Sequence, residues 1–179
     1  MIEVRRAETA DAPSIGTVHV SAWRNAYAGI LPGDYLSGLS IPRQAAQYAA
    51  TIRTCGGVYV ATDPDAGTAS GVIGFVTVGR PRSSGLAEGE VQTLYVLDDW
   101  RDRGVGRRLL AAGAAHLVAA GCNSAFLWVL RDNPSRWFYE RLGGRQTAAS
   151  ATRVAGVAIP QVAFVWDPID TLLAGAAQA

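Results

Sequence analysis

The chain has 179 residues, 49% of them hydrophobic and 17% charged, which is the composition of a globular protein with a single core. Its 16 basic residues, all arginine, balance 15 acidic residues to a formal charge of +1, which excludes a broad basic surface for nucleic acid. Cys55 and Cys122 have no metal-ligand spacing with His19 or His116, so we expect no metal site. Charged residues at the N-terminus and the lack of a long apolar run predict a cytoplasmic protein without a membrane partner.

The first half of the chain predicts a strand, three helices and then two strands. Thr9 or Asp11 is the predicted N-cap of the first helix, whose apolar residues recur every three or four positions. Pro42 stands in the first turn of the third helix. The predicted elements are a strand at 2–7, a first helix that ends at 27–29, helices at 31–39 and 43–53, and strands at 58–62 and 71–78.

The second half begins with a polar loop at 81–89 and then alternates strands with helices. The predicted elements are a strand at 91–97, a helix at 105–120, a strand at 124–130, a helix at 135–142, and a strand pair at 145–153 and 157–166. Such an order predicts an α/β domain with helices on both faces of a sheet. We interpret 1–167 as a single domain and the Ala-rich 168–179 as a C-terminal tail, either a short helix or frayed.

Residues 101–106, with the sequence Arg-Asp-Arg-Gly-Val-Gly, are the most informative segment. They join a predicted strand to a predicted helix, and a helix N-terminus reached through glycines favours a phosphate ligand. A dinucleotide-binding fold requires a third glycine where Leu109 stands, and the Gly-Lys-Ser/Thr loop of nucleotide triphosphate sites requires a lysine that the chain lacks. These differences argue against a nucleotide-binding module.

The spacing Arg-x-x-Gly-x-Gly resembles the pyrophosphate loop of the GNAT superfamily of N-acetyltransferases. Asn133, followed by a helical segment that ends in Phe138-Tyr139-x-x-Leu142-Gly143, resembles the second hallmark of that superfamily, although relatives commonly have Phe where Gly144 stands. The order of hydrophobic runs between Ile2 and Trp166 is also similar. The resemblance implies the GNAT fold, a single mixed and mostly antiparallel sheet with a central splay and helices on both faces. It also implies acetyl-CoA as the cosubstrate, without a metal.

By the same resemblance, backbone groups carry most of the cofactor site. The N–H groups of 103–107 are expected to hold the pyrophosphate, with positive charge from the neighbouring arginines including Arg108, and Asp102 is expected to point to solvent. The backbone of 94–96 is expected to pair with the pantetheine arm as an added strand would, while the Tyr95 side chain is more typical of core. Asn133 either contacts the cofactor or caps its helix. The expected cofactor-binding residues are Leu94, Tyr95, Val96, Arg101, Arg103, Gly104, Val105, Gly106, Arg107 and Asn133.

Two residues are expected to be catalytic. Tyr139 matches a tyrosine that in many relatives protonates the departing thiolate; the alternative is packing on an amphipathic helix. Glu90, at the offset from Gly104 where some relatives have a catalytic glutamate, is the candidate general base; the alternative is an exposed acid at the start of a strand.

The acceptor pocket is predicted from aromatic residues and one further acid. Trp23 and Tyr27 lie one helical turn apart and share a face, Trp128 lies on a strand beside the splay, and Glu88 neighbours Glu90. The alternative for these aromatic residues is simply core. The function expected from the resemblance is transfer of an acetyl group to a primary amine of a small molecule or peptide, directly in a ternary complex. The rival is a catalytically idle CoA-binding module that acts as a sensor or scaffold. No nucleic acid partner is expected, and a homodimer is compatible with the sequence.

Overall fold

The computed structural model describes residues 1–67, 70–82 and 85–177, so Ser83 and Ser84 of the predicted polar loop and the last two residues of the predicted tail lie outside it. In this part of the chain, seven strands form one sheet in the order β1-β2-β3-β4-β5-β7-β6. Only β4 and β5 pair in parallel, which confirms a mixed, mostly antiparallel sheet. The strands are β1 (Glu3–Arg6), β2 (Val58–Thr62), β3 (Val72–Gly79), β4 (Gly89–Val96), β5 (Ala125–Leu130), β6 (Arg145–Val154) and β7 (Val157–Trp166).

Helices cover both faces of the sheet, as predicted. On one face α1 and α3 pack together over Val60 and Phe75. On the other face α4 packs over β2, β3 and β4 through Leu109 and Leu110, both fully buried. The helices are α1 (Ala12–Ala26), α2 (Gly33–Ser37), α3 (Ile41–Cys55), α4 (Val105–Ala119), α5 (Arg136–Arg141) and α6 (Asp170–Ala177). None of them is long and apolar enough to cross a membrane, within the described ranges.

The predicted elements all occur, with ends that differ by a few residues. The apolar periodicity of α1 gives a helix that begins at Ala12, with Asp11 at its N-cap position but no capping hydrogen bond from that side chain. Asp11 instead accepts two hydrogen bonds from Arg5, both of 2.8 Å. Ser40 caps α3 by accepting a hydrogen bond from the backbone N–H of Arg43.

The segment interpreted as a C-terminal tail folds against the domain. Residues 170–177 form α6, which packs on α4, and Leu172 is fully buried. The indole N–H of Trp166, just before this segment, donates to the carbonyl of Leu142 at 2.9 Å. The described part of 168–179 therefore contributes to the hydrophobic core, because its apolar side chains have a face to bury.

The parallel pair β4–β5 separates soon after it begins. Its ladder consists of two residue pairs, Gly89 with Ala125 and Glu90 with Phe126. Beyond them β4 stays paired with β3 as far as Val96, and β5 stays paired with β7 along its whole length. The two halves of the sheet thus diverge where the resemblance places a splay.

Candidate active site

A cleft of about 970 Å³ opens where β4 and β5 diverge. Its walls include 91–96 of β4 and 127–130 of β5, and it reaches the first turn of α4. This volume lies at the upper end of the range usual for small-molecule sites. Among the described residues, no group of three or more His, Cys, Asp or Glu side chains is placed to hold a metal ion.

The loop between β4 and α4 presents a helix N-terminus to the cleft. Gly104 is the N-cap residue of α4 and has a left-handed conformation, with φ of +75°. A side chain at Gly104 would meet nothing within 4 Å, so space is open in front of the first helical turn. The N–H groups of that turn have no partner within the helix, and the helix dipole makes them favourable to an anion. The geometry suits a phosphate group.

Side-chain charges around this loop are mostly positive. Arg101, Arg107 and Arg141 line the cleft. Arg101 also forms a salt bridge of 2.8 Å with Asp98. Asp102 is exposed, as expected of a side chain that points to solvent, although it also lies at the cleft lining. Its φ of +57° is a conformation that glycine adopts more readily.

Two of the arginines expected near the pyrophosphate do not line the cleft. The Arg103 guanidinium lies over the Trp100 ring, 4.9 Å from its centroid. Arg108 donates to the carbonyl of Ile2 at 3.2 Å and so reaches back to β1. The other expected cofactor-binding residues all line the cleft.

Tyr139 lies in the cleft wall. Its ring packs against Phe138, Phe164 and Trp166, with centroid distances of 5.4, 5.9 and 6.4 Å. Burial raises the pKa of its hydroxyl, so the proton stays on the oxygen at neutral pH. Its hydroxyl has no hydrogen-bond partner within the described ranges. Packing and exposure to the cleft are therefore both features of this residue.

Asn133 organises the turn that leads into α5. Its side-chain oxygen accepts a hydrogen bond of 2.9 Å from the N–H of Ser135, and Asn133 is buried against the cleft. Burial raises the pKa of Tyr27, while Tyr95 and Asn133 act in the opposite direction, so these three polar groups lie together beside the splay.

Aromatic side chains from α1 and β4 form a wall of the cleft. Trp23 lies edge-on to Tyr27 at 5.0 Å and stacks on His19 at 5.1 Å. The Tyr95 ring packs on Phe75 and His19 at 5.7 and 5.3 Å, so it belongs to the core as well as to the cleft. Trp128 lines the opposite wall on β5. The predicted aromatic residues therefore all line the same cleft.

The two glutamates lie apart from the cleft lining. Glu90 is buried, which excludes an exposed strand-start acid, and its carboxylate accepts hydrogen bonds from Arg82. Glu88 precedes β4 and accepts hydrogen bonds from the backbone and side chain of Asn123. Neither carboxylate is among the groups that line the cleft.

Sequence reasoning missed His19, Tyr48 and Arg82 as cleft residues. His19 lies one helical turn before Trp23, so extending the same face by four residues identifies it. Its Nδ1 is 2.7 Å from the Tyr48 hydroxyl, and burial lowers the pKa of His19 to about 4. His19 is therefore neutral at physiological pH. No local pattern points to Tyr48 or Arg82, which reach the cleft through tertiary packing.

Comparison with known proteins agrees with this geometry. The model of the acetyltransferase (GNAT) family matches residues 21–144. The chain is also 35% identical to the uncharacterized N-acetyltransferase YuaI of Bacillus subtilis over 173 residues, which is 96% of each protein. The chain belongs to the GNAT family and is an acyltransferase of that family.

Solved structures with low sequence identity share the fold. A GCN5-related N-acetyltransferase from Rhodopseudomonas palustris superposes with a TM-score of 0.71 at 19% identity, covering 92% of this chain and 94% of that one. The structure of yncA from Salmonella typhimurium, solved with acetyl-CoA, superposes with a TM-score of 0.69 at 19% identity. That superposition covers 93% of this chain and 94% of yncA. These similarities confirm the GNAT fold predicted from the sequence.

Proposed function

We propose that this protein is an acetyl-CoA-dependent N-acetyltransferase that transfers an acetyl group to a primary amine of a small molecule or peptide. The observation that carries the proposal is a single cleft with the first turn of α4 at one end, the open edge of β4 along its side and Tyr139 in its wall. The acetyl-CoA bound to the related yncA protein supports the choice of cosubstrate.

The residues in the cleft fit acetyl-CoA. The N–H groups of 105–107, with Arg101 and Arg107, are suited to the pyrophosphate. The edge of β4 at 94–96, which faces away from β3 without pairing to β5, is suited to the amides of the pantetheine arm. Asn133 holds the turn against which the arm would lie. Acetyl-CoA supplies an acetyl group already activated as a thioester.

Direct transfer in a ternary complex is the simplest route. No cysteine lines the cleft among the described side chains, so a thiol to carry the acetyl group as an intermediate is lacking there. The same cleft of about 970 Å³ is lined by residues of the 101–107 segment, here called the phosphate loop, and by the aromatic wall, so it has room for an amine beside the thioester. The protein's main tasks are then to position the two substrates and to move protons.

Tyr139 is the proposed general acid. Its hydroxyl carries a proton at neutral pH, and its place in the cleft wall suits proton donation to a departing thiolate.

Glu90 is proposed either as a general base or as a residue that positions Arg82, and its geometry favours the second role. As a general base it would remove a proton from the attacking amine, directly or through water. Its carboxylate, however, is buried and bound by Arg82 through three hydrogen bonds. A carboxylate held in this way is better suited to positioning Arg82 than to accepting a proton from an amine. The pH dependence of a Glu90→Gln variant distinguishes these roles.

Two measurements test the proposed function. Isothermal titration calorimetry should detect binding of acetyl-CoA and none of ATP or NAD. A panel of primary amines should then give amine-dependent release of CoA thiol, with the acetylated amine identified by mass spectrometry. Absence of acetyl-CoA binding to the folded protein would refute the cofactor assignment, and binding without turnover of any amine would refute the enzymatic one.

A further inference from the structure

Charged side chains are unevenly distributed along the cleft. Within the described residues, those that line it are Arg82, Arg101, Asp102, Arg107 and Arg141. Arg82 differs from the other four in its position along the cleft. Its partner Glu90 lies six residues before Val96 in β4. At about 3.3 Å per residue, that places Glu90 roughly 20 Å from the end of β4 where the phosphate loop begins. Arg82 therefore belongs to the opposite end of the cleft, here called the acceptor end.

The Arg82 guanidinium is anchored on one side and open on the other. Its Nε and Nη2 donate to Oε1 of Glu90 at 3.0 and 2.7 Å, and its backbone N–H donates to Oε2 at 2.7 Å. Nη2 also donates to the carbonyl of Gln92 at 3.3 Å. The Glu90 side chain is 3% exposed, whereas that of Arg82 is 57% exposed. Nη1 has no acceptor within the described ranges, so its donors are available to a ligand.

Among the described residues near Arg82, none brings a negative charge to the cleft lining. Gln44, Gln47 and Gln92 contribute neutral amides. Burial raises the pKa of Tyr48, and the positive charge of Arg82 opposes that increase, so the guanidinium acts on a hydroxyl that lines the acceptor end. The single lining carboxylate among the described residues, Asp102, belongs to the phosphate loop.

We infer that Arg82 binds a carboxylate or phosphoryl group on the acceptor, so that this enzyme prefers amines that also carry an anionic group. The inference rests on the acetyl-transfer function proposed above. An exposed guanidinium whose Nη1 donors are free, held in place by a buried carboxylate, is a well-oriented partner for such a group. A polyamine finds no carboxylate among the described residues of the acceptor end and meets a fixed positive charge, so it is a poor acceptor. A simple alkylamine leaves Nη1 without a partner.

The inference is tested with matched pairs of amines. Each anionic amine is compared with the alkylamine that has the same carbon chain but lacks the anionic group. The carboxylates are glycine, β-alanine, 4-aminobutyrate and 6-aminohexanoate, and the phosphonate is 2-aminoethylphosphonate, whose partner is ethylamine. Spermidine represents polyamines. Rates are corrected for the fraction of neutral amine at the assay pH. We expect at least one anionic amine to exceed its partner by about 10- to 100-fold in kcat/KM, the effect of one charge-assisted hydrogen-bonded contact. Carboxylate and phosphonate probes show which anion is preferred.

Variants assign the preference to Arg82. Because Arg82→Gln alone leaves the buried Glu90 carboxylate without its partner, the main variant is the double substitution Arg82→Gln with Glu90→Gln, checked for folding by circular dichroism. It should reduce the anionic-to-neutral ratio of kcat/KM to near one, mainly through KM. Arg82→Lys should keep part of the ratio. Arg80→Gln, which removes an exposed arginine from the same loop outside the cleft, should leave the ratio unchanged.

A further readout uses the unmodified enzyme, so it does not depend on a variant that folds. Raising the salt concentration should increase KM for the preferred anionic amine more than for its neutral partner. Equal or better use of neutral amines or spermidine overturns the inference, as does a double variant that folds and keeps the preference. Lack of turnover with every amine overturns the proposed function instead, and calorimetry with acetyl-CoA then separates a failed cofactor site from a failed acceptor site.

Discussion

Replacing Tyr139 with phenylalanine tests the chemistry most directly, because it removes one oxygen and changes little else. The ring contacts with Phe138, Phe164 and Trp166 remain available to phenylalanine. Within the described residues the hydroxyl has no hydrogen-bond partner to lose. The free energy of unfolding should therefore change by no more than about 0.5 kcal/mol, or increase slightly because a buried polar group is removed.

The effect on catalysis should be much larger than the effect on stability. General acid catalysis typically contributes about 10²- to 10⁴-fold. At about 1.36 kcal/mol for each factor of ten, this corresponds to about 3 to 5 kcal/mol in the activation free energy. We expect kcat to fall by a factor in that range while the affinity for acetyl-CoA stays nearly constant. Thiol release under saturating substrates measures the first quantity, and calorimetry the second.

The matched control is Tyr59→Phe. Tyr59 lies outside the cleft, where its hydroxyl is 3.2 Å from Nδ1 of His116, so this substitution also removes a tyrosine hydroxyl but should leave kcat unchanged. A pre-steady-state burst would show whether product release hides the chemical step. If chemistry limits the rate and Tyr139→Phe is as fast as the unmodified enzyme, Tyr139 serves packing alone.

Three other perturbations test separate parts of the site. Gly104→Asp should weaken acetyl-CoA binding, measured by calorimetry, by more than about tenfold, because its carboxylate enters open space at the helix N-terminus. The neutral variant Gly104→Asn should retain much more affinity. Equal affinities of the two variants would contradict the assignment of the loop to the pyrophosphate. Glu90→Gln should lower kcat/KM by a similar factor at every pH if Glu90 positions Arg82, and recovery at high pH would instead identify a general base. Burial lowers the pKa of His19 to about 4, below its usual value near 6.5. As the pH falls from 6.5 to 4, the unfolded chain therefore binds a proton at His19 before the folded chain does. The free energy of unfolding should fall by up to about 3 kcal/mol over that interval. His19→Gln should lack this component in denaturant titrations, and an unaltered pH dependence would show that His19 is not buried neutral.

Local patterns in the sequence were sufficient for the secondary structure and for the turn at 101–106. Apolar residues with helical spacing mark α1 and α4, and the glycines of 101–106 mark the turn between strand and helix. The position of the splay came from the resemblance, since β4 carries no residue whose type forces it away from β5. The two hallmark motifs, far apart in the chain, line the same cleft in the structure.

Tertiary contacts account for what the sequence could not reveal. The ion pair between Arg82 and Glu90 is a tertiary contact that no local pattern predicts, because an acid at a strand start is usually exposed. Glu88 neighbours Glu90 in the sequence but precedes β4, which begins at Gly89, so the strand does not orient the two side chains together. The left-handed backbone of Asp102 is likewise a conformation that none of its neighbours in the sequence predicts.

β4 and β5 are joined by two residue pairs, fewer than any other two neighbouring strands of the described sheet. These two pairs form a narrow bridge between the halves of the sheet. Four strands lie on one side of this bridge and three on the other, and the chain crosses between them through α4. A molecule that pairs with the free edge of β4 while it contacts β5 lengthens the bridge, as an inserted strand would. Ligand binding is then coupled to how firmly the two halves of the sheet are held together. A substitution that loosens the junction at Gly89 or Ala125 would weaken ligand binding without touching the ligand, since part of the binding free energy is used to hold the two halves together.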